Sequence, residues 1–266
     1  MSQISILGCG WLGFPLASTL LQKGFTVKGS TTSADKLPVL ENAGIQPFLI
    51  SLKAEGTQGD VIEFLENSSI LIIDIPPKLR GLEKEDFVAK IEMFLPFIEQ
   101  STVESVLFIS STSVYKDDDG HITEAKTPNP DTESGIQLLA SEKLLQNNQS
   151  FQATILRFGG LIGEDRHPVK FLAGRKDVEN PEAPINMIHR DDCIGIILKI
   201  IETNSWGTTF NAVAPFHPSR EQYYTSKAIE LGLEPPLFNH EKTSIGKIVD
   251  AAKVAGLGYS FVRENF

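Results

Sequence analysis

Near the start of the chain stands the stretch Ile4-Ser5-Ile6-Leu7-Gly8-Cys9-Gly10-Trp11-Leu12-Gly13, an apolar strand that runs into three glycines and an apolar-faced helix. With this spacing the first glycine permits a tight turn, the second lets the backbone approach a pyrophosphate, and the third brings helix and strand close together. The free N–H groups at the helix start would hold the diphosphate. A Gly-x-Gly-x-x-Gly alone indicates no more than a turn, but here the order strand, glycines, helix is the one that a dinucleotide-binding loop requires. We therefore expect a bound dinucleotide to contact Gly8, Gly10, Trp11, Leu12 and Gly13.

Strand and helix patterns alternate through the first 160 residues. Strand patterns lie at 25–29, 46–50, 69–75, 103–110 and 152–158, and helical patterns at 34–42, 60–66, 87–98 and 134–146. This alternation predicts an α/β fold with a Rossmann-like, doubly wound parallel sheet. Beyond residue 160 prolines interrupt the rhythm, and shorter patterns follow at 185–188, 191–202, 208–213, 220–231, 236–238 and 248–254. We expect residues 1–160 to form the dinucleotide-binding domain and residues 161–266 a smaller substrate lobe, interleaved with it.

Composition and charge limit the functional classes. The chain has 266 residues, a formal net charge of −10 at pH 7 and no long apolar run. An acidic protein is a poor match for nucleic acid or anionic membranes, and a spanning helix needs about 20 apolar residues. Cys9 and Cys193 offer neither a zinc pattern nor a disulfide framework, so no metal site is expected. These features predict a cytoplasmic protein whose partner is a small molecule.

The segment after the second strand indicates the type of dinucleotide. Domains that bind NAD place a carboxylate here for the ribose hydroxyls, while a 2′-phosphate is accepted by basic or hydroxyl groups. This chain has Ser30-Thr31-Thr32-Ser33 followed by Lys36, and no carboxylate before Asp35. Hydroxyls can donate to a phosphate and the ammonium can pair with it. We expect NADP rather than NAD, held by Ser30, Thr31, Thr32 and Lys36; a helix cap at Ser33 is the simpler alternative.

Hydroxyl residues cluster at the carboxyl end of the strand at 103–110, in Phe108-Ile109-Ser110-Ser111-Thr112-Ser113-Val114-Tyr115. Ligands bind at this end of parallel strands. The stretch resembles the Ser-Ser-x-x-Val-Tyr segment of the extended short-chain dehydrogenase/reductase family, which includes nucleotide-sugar epimerases and dehydratases. The resemblance implies that Ser111 holds a substrate hydroxyl or carbonyl beside the nicotinamide. We also expect Ile75, Pro76 and Ser110 to line the cofactor.

Other segments extend this resemblance over nearly the whole chain. Glu124 with Pro128 and Pro130 is similar to a loop of the family, and residues 157–163 resemble the turn after its sixth strand. Ile188-His189-Arg190-Asp191-Asp192 resembles its His-x-x-Asp segment before a helix, and Leu257-Gly258-Tyr259 its terminal signature. Together these segments are more specific than any one motif.

One departure from the family concerns its acid–base pair. The family places Tyr-x-x-x-Lys eight and four residues before a helix glutamate, which Glu142 matches; the two positions are then Ser134 and Leu138. A serine hydroxyl is too weak an acid to replace the phenol without a neighbouring base, and leucine cannot replace the lysine. The chain therefore resembles the atypical subgroup of the family, known as NAD-dependent epimerase-like proteins. That resemblance implies cofactor binding more firmly than redox chemistry.

Any catalysis then needs a proton from another group. Tyr115 is the nearest phenol to Ser111, but its ordinary pKa of about 10 would need lowering; packing at the pocket wall is the alternative. His189 has an intrinsic pKa suited to acid–base chemistry, and its alternative is to cap the following helix. Ser111, Tyr115 and His189 are the candidate catalytic residues.

Polar groups near these candidates could assist them. Gln137 and Glu133 lie close in sequence to the position of the missing pair and could bond a substrate or water. Several residues could clamp an anionic substrate such as a sugar diphosphate, or form an exposed loop of mixed charge: Arg157, Asp165, Arg166, His167 and Lys170.

Three functions compete on these observations. The first is an NADP-dependent epimerase-, dehydratase- or reductase-like enzyme that acts on a small hydroxyl or carbonyl compound. The resemblance implies a substrate similar to a nucleotide sugar. The second is a non-catalytic dinucleotide sensor or scaffold, favoured by the missing pair. The third, another Rossmann class such as a 6-phosphogluconate-dehydrogenase-like reductase, is opposed by the segments at Ser111 and His189. The resemblance makes a homodimer the candidate assembly.

Overall fold

The computed structural model describes residues 2–77, 85–117 and 120–263. Its strands are β1 (Gln3–Leu7), β2 (Thr26–Thr31), β3 (Gln46–Leu49), β4 (Ser51–Lys53), β5 (Gly56–Gln58), β6 (Ser68–Ile73), β7 (Ser105–Ser111), β8 (Gly120–Ile122), β9 (Gln152–Phe158), β10 (Gly160–Ile162), β11 (Met187–His189), β12 (Thr209–Ala212) and β13 (Lys247–Val249). Its α-helices are α1 (Gly13–Gln22), α2 (Leu37–Asn42), α3 (Val61–Leu65), α4 (Phe87–Glu99), α5 (Glu133–Gln146), α6 (Val169–Leu172), α7 (Arg190–Glu202), α8 (Arg220–Glu230) and α9 (Ala252–Gly256).

Seven parallel strands form the central sheet, in the order β12-β9-β7-β6-β1-β2-β3. From β1 the chain winds outward to β2 and β3, and then returns to β6 on the other side of β1. A crevice for ligands opens where the winding direction reverses, outside the carboxyl ends of the strands. The sheet confirms the predicted doubly wound, Rossmann-like fold.

Two apolar layers cover the two faces of this sheet. Alternate residues of β6 point to opposite faces: Ile70 and Ile72 pack in the layer with α1 and α7, and Leu71 and Ile73 in the layer with α4 and α5. All four lie within the buried core of the protein. This double burial explains why β6 is a continuous apolar run rather than an alternating one.

Side chains cap several helices at the predicted starts. The carboxylate of Asp86 accepts the backbone N–H of Ala89 at the start of α4, and Thr132 caps α5 in the same way. The hydroxyl of Ser219 accepts the N–H of Gln222 at the start of α8. Because a capping group satisfies an otherwise unpaired N–H, these short polar residues locate the helix ends. In the described ranges, every helix is too short or too polar to cross a bilayer.

Three short segments show how the structure differs from the sequence patterns, and β8, β10 and α6 are further elements that the patterns do not predict. A β-hairpin of β4 and β5 follows β3, where no strands are predicted. The helix predicted at 248–254 is instead the strand β13, paired with β8, followed by the short α9. The strand predicted at 236–238 is reduced to one bridge between Val178 and Phe238. All three involve segments of a few residues, in which distant partners rather than local periodicity select the conformation.

Candidate functional site

The glycine loop between β1 and α1 is folded tightly against the end of β6. Gly8 has a positive φ of 107°, and a Cβ there would lie 2.2 Å from the carbonyl oxygen of Asp74. A Cβ on Gly13 would lie 2.2 Å from the carbonyl oxygen of Gly8. A Cβ on Gly10, by contrast, would have no atom within 4 Å among the described residues. The loop is therefore closed on its protein side and open at Gly10, where a ligand backbone or phosphate could approach.

A cavity of about 240 Å³ adjoins this loop at the carboxyl ends of β1, β2 and β6. It brings together eight of the predicted cofactor residues: Gly8, Gly10, Ser30, Thr31, Thr32, Lys36, Ile75 and Pro76. Trp11, Leu12, Gly13 and Ser110 do not line it. The hairpin of β4 and β5 adds residues that the sequence analysis missed, including Leu52 and Lys53.

The β2 end of this cavity carries hydroxyl and ammonium groups. Ser30 ties the glycine loop to β2, because its Oγ accepts the N–H of Gly8 at 2.9 Å. Thr32 and Lys36 are exposed at the same end, together with Lys53. Lys90 also lines the cavity and pairs with Glu85. This end of the cavity can therefore accept an anion on Thr32 and on two lysines.

A carboxyl group lies at the other end of the cavity, next to the glycine loop. Burial raises the pKa of Asp74 from 3.8 to about 8, while a hydrogen bond from the backbone N–H of Gly13 partly opposes the shift. The neutral form of this carboxyl group is therefore the stable one at neutral pH. The sequence analysis missed Asp74, although a lone carboxylate at the end of an apolar strand was a usable signal.

Trp11 faces away from the cavity and connects the glycine loop to the turn after β10. Its Nε1–H donates to Oδ1 of Asp165 at 2.9 Å. The guanidinium groups of Arg166 and Arg190 lie 5.1 and 4.9 Å from the centre of its indole ring, within cation–π range. A Cβ on Gly163 would lie 2.8 Å from this ring. Asp165 and Arg166, predicted as part of an anion clamp, are thus bound to Trp11.

A second cavity, of about 360 Å³, opens beyond the end of β7 and contains Ser111. The Oγ of Ser111 accepts the N–H of Ser113 at 3.1 Å, so its own proton remains free to donate. Residues from distant parts of the chain complete the walls, among them Asp117, Gly160, Asn186, Arg220, Tyr224 and Lys247. Ser111 therefore lies where the sequence predicts a substrate, beside groups that the sequence did not indicate.

Ser134 and Leu138, which the resemblance aligns with an acid–base pair, lie on α5. Ser134 is half-buried in the first turn of the helix, and Leu138 is 4% exposed within the apolar layer. Gly135 allows close contact between this helix and the turn after Ser111, since a Cβ there would lie 2.2 Å from the carbonyl oxygen of Ser113. The helix therefore carries an apolar, buried side chain at Leu138.

Glu133 and Gln137 use their polar groups within the protein. The side-chain amide of Gln137 donates to Glu133 at 2.7 Å, and its oxygen accepts the N–H of Phe87 at 2.8 Å. Neither residue lines the cavity with Ser111.

Tyr115 belongs to a buried polar network beneath the cavities. Its hydroxyl accepts from Nη1 of Arg157 at 2.5 Å and donates to Asn211 at 3.1 Å. The carboxylate of Glu142 accepts from Nη2 of Arg157 and from the hydroxyl of Ser110, each at 2.5 Å. Burial raises the pKa of Tyr115, although the nearby guanidinium partly opposes this. The network therefore keeps a protonated phenol inside the core and uses the charge of Arg157, which was predicted to face a substrate.

His189 stands at the N-terminus of α7. Its Nδ1 accepts the N–H of Asp191 at 3.2 Å, which makes it the cap of this helix. The buried Asp192 then accepts from the hydroxyl of Tyr259 and from the N–H of Val262, each at 2.8 Å. His189 lines neither of the two cavities. This segment therefore anchors the end of the chain to α7.

Sequence comparison identifies a relative along the full length of the chain. Protein YeeZ of Escherichia coli K12 is 34% identical over 264 residues, which are 98% of this chain and 96% of YeeZ. This chain belongs to the YeeZ family. The YeeZ of E. coli O157:H7 is similar to the same extent, and no protein-family model matches the sequence.

Solved structures share the fold of this YeeZ-family chain. An NAD-dependent epimerase/dehydratase-type protein of Methylobacillus flagellatus is 26% identical, with a TM-score of 0.77, over 99% of this chain and 94% of its own. UDP-glucuronic acid 4-epimerase of Bacillus cereus, solved with UDP-glucuronic acid and NAD, is 19% identical, with a TM-score of 0.79, over 98% and 94%. The structural neighbours of the chain are thus proteins of the NAD-dependent epimerase/dehydratase type.

Proposed function

We propose that the protein binds NADP and acts on a small hydroxyl or carbonyl compound at Ser111, as an atypical member of the short-chain dehydrogenase/reductase family. One observation carries the proposal: the open face of the glycine loop and the hydroxyl–lysine end of β2 line one cavity. The bound dinucleotide would accept or donate a hydride. The B. cereus epimerase, which shares the fold, was solved with NAD.

Several residues along the cavity support a bound dinucleotide. The open backbone at Gly10 leaves room for the pyrophosphate. The first N–H groups of α1 are already used within the protein, because Gly13 donates to Asp74, Phe14 donates to the carbonyl oxygen of Gly10, and Pro15 has no N–H. Thr32, Lys36 and Lys53 can hold a 2′-phosphate, which is the group that distinguishes NADP from NAD. Two acidic residues line the cavity: Glu85 is paired with Lys90, and Asp74 lies at the other end, next to the glycine loop. The hydroxyl and lysine groups at the β2 end support NADP over NAD.

Ser111 is the residue that we propose to contact the substrate. Its hydroxyl accepts the N–H of Ser113, so its proton can be donated to a substrate oxygen. We propose that Tyr115 and His189 support the site without contacting the substrate. Arg157 holds the phenol of Tyr115 within the core, and the imidazole of His189 caps α7. The part of the chain after residue 160, which we propose to act as the substrate lobe, supplies Asn186 and other walls of the cavity.

A non-catalytic role as a dinucleotide sensor or scaffold is the second candidate. The apolar Leu138, in the position where the family has a lysine, favours it. Without an ammonium group there, nothing at this position lowers the pKa of a nearby hydroxyl. The two functions share cofactor binding and differ in turnover.

Cofactor binding is tested first, by the thermal stability of the protein with NADP, with NAD and without either. A ligand at one hundred times its dissociation constant stabilises the folded state by about 2.7 kcal/mol. We expect a larger shift of the melting temperature with NADP than with NAD. Equal melting temperatures in all three samples would contradict both candidate functions.

Turnover is tested next, by hydride exchange between labelled NADPH and carbonyl compounds in the wild type, in Ser111→Ala and in Ser226→Ala. Ser226 is an exposed serine on α8 that lines neither of the two cavities, so it is the matched control. Exchange that is lost in Ser111→Ala but kept in Ser226→Ala supports the enzyme. Tight NADP binding without exchange in any of the proteins supports the sensor.

A further inference from the structure

Two buried hydrogen-bond donors lack an acceptor at the cavity that contains Ser111. The Nε–H of Arg220 and the hydroxyl of Ser113 are shielded from solvent and have no hydrogen-bond partner among the described residues. Both residues line the cavity, although they are more than 100 positions apart in the chain. Leaving a buried donor unpaired costs about 1–3 kcal/mol, and a bound acceptor is one way in which a protein recovers that cost.

The charges around the cavity leave one cation uncompensated. Lys247 is 8% exposed; it donates to the carbonyl oxygen of Tyr115 and pairs with Asp117 at 3.0 Å. Arg220 has no carboxylate within ion-pair distance in the ranges 2–77, 85–117 and 120–263. Its guanidinium lies 5.9 Å from the ring centre of Tyr224, which also lines the cavity. The chain as a whole carries a formal net charge of −10, so an unpaired cation in a cavity stands out against its surroundings.

Two of the other cations that were predicted to clamp an anion are engaged within the protein, and His167 and Lys170 do not line this cavity. Arg157 pairs with the buried Glu142, and Arg166 lies against the indole ring of Trp11. Arg220 therefore remains as the cation that a substrate can reach from the same cavity as Ser111.

We propose that this cavity is an anion subsite, in which Arg220 and Ser113 bind the carboxylate or phosphate group of a small acidic substrate. The guanidinium can form charge-assisted hydrogen bonds to such a group, and Lys247 adds positive charge nearby. The reacting hydroxyl or carbonyl would then lie at Ser111, a step that rests on the proposed function. The cavity has a volume of about 360 Å³, which lies within the range of ligand pockets.

The test is calorimetric titration of the full chain with inorganic phosphate and, separately, with malonate, at constant ionic strength. The proteins compared are the wild type, Arg220→Gln, Ser113→Ala and the control Arg175→Gln. Arg175 is an exposed arginine that lines a neighbouring cavity with Arg220 but not the cavity of Ser111, so the control removes the same charge from close by without changing the proposed subsite. The melting temperature of each variant, measured without ligand, verifies that it is folded.

We expect Arg220→Gln to weaken binding of at least one probe by about tenfold or more, since a charge-assisted hydrogen bond is lost. Ser113→Ala should weaken the same probe by about threefold to tenfold, because it loses one neutral hydrogen bond. Arg175→Gln should stay within about twofold of the wild type, as expected for an exposed charge. The probe that depends on Arg220 identifies the anion as a phosphate or a carboxylate.

The other outcomes overturn the subsite. The subsite is refuted if the wild type binds neither phosphate nor malonate. It is also refuted if Arg220→Gln binds both probes as tightly as the wild type does. Equal weakening in Arg220→Gln and Arg175→Gln indicates general charge attraction and also overturns it. NADP binding, measured separately by NADPH fluorescence, distinguishes this failure from that of the proposed function. Arg220-dependent binding in a protein without NADP affinity would refute the dehydrogenase-like function and leave the subsite standing.

Discussion

The carboxyl group of Asp74 makes the stability of this protein depend on pH, and Asp74→Asn should remove that dependence. The group lies beside the glycine loop and accepts the N–H of Gly13, a role that the amide oxygen of asparagine can keep. Burial raises its pKa from 3.8 to about 8. The folded protein therefore keeps the proton to about pH 8, whereas the unfolded chain releases it near pH 4.

The direction of the effect follows from this difference in proton binding. Between about pH 4 and pH 8 the folded state holds one proton more than the unfolded state, so the free energy of unfolding falls as the pH rises. A shift of this size corresponds to at most about 6 kcal/mol. Because Asp74 lines an open cavity, water can relieve part of the cost, so we take about 3 kcal/mol as the smallest effect expected. Well below pH 4 the carboxyl group of Asp74 is protonated in both the folded and the unfolded state, so this loss of stability disappears.

Urea denaturation of the wild type and Asp74→Asn from pH 4.5 to pH 8.5, without cofactor, measures this effect. We expect the difference between the two proteins to be smallest at pH 4.5 and to grow with pH, with the variant gaining about 2 kcal/mol or more over the wild type by pH 8.5. Asp165→Asn is the control, because hydrogen bonding from Trp11 lowers the pKa of that exposed carboxyl, and its removal should not stabilise the protein at high pH. Parallel pH curves for the wild type and Asp74→Asn would refute the reasoning.

Three further substitutions test other parts of the structure. Gly13→Ala places a Cβ 2.2 Å from the carbonyl oxygen of Gly8, so it should destabilise the fold by about 1–3 kcal/mol in urea denaturation and weaken NADP binding; unchanged affinity would contradict the close packing of the loop. Glu142→Gln leaves Arg157 buried without its carboxylate and should cost about 3–5 kcal/mol; a loss below 1 kcal/mol would show that water reaches the pair. Lys36→Ala should weaken NADP binding about fivefold, as expected for an exposed charge, and leave NAD binding unchanged. Equal effects on the two dinucleotides would argue against a 2′-phosphate at Lys36.

Much of the fold could be predicted because its signals are local. The glycine loop requires a backbone conformation that few residues other than glycine adopt, and the buried strands are runs of apolar residues. The caps Asp86, Thr132 and Ser219 locate helix starts from one side chain each. The hairpin of β4 and β5 and the strand β13 have only three residues per strand, too few to show a period. Their pairing depends on neighbours that the fold supplies.

The candidate site, like the fold, could be predicted from the sequence only in part. Local patterns predict that the glycine loop, the end of β2 and Ser111 lie at one edge of the sheet, since the carboxyl ends of parallel strands meet there. The partners of the charged groups could not be found from the chain alone, because they lie far apart in sequence. Arg157 meets Glu142 in the core, while Arg220 reaches the cavity of Ser111 without a carboxylate among the described residues. The tertiary structure therefore decides which charged groups pair with one another and which remain free to bind a ligand.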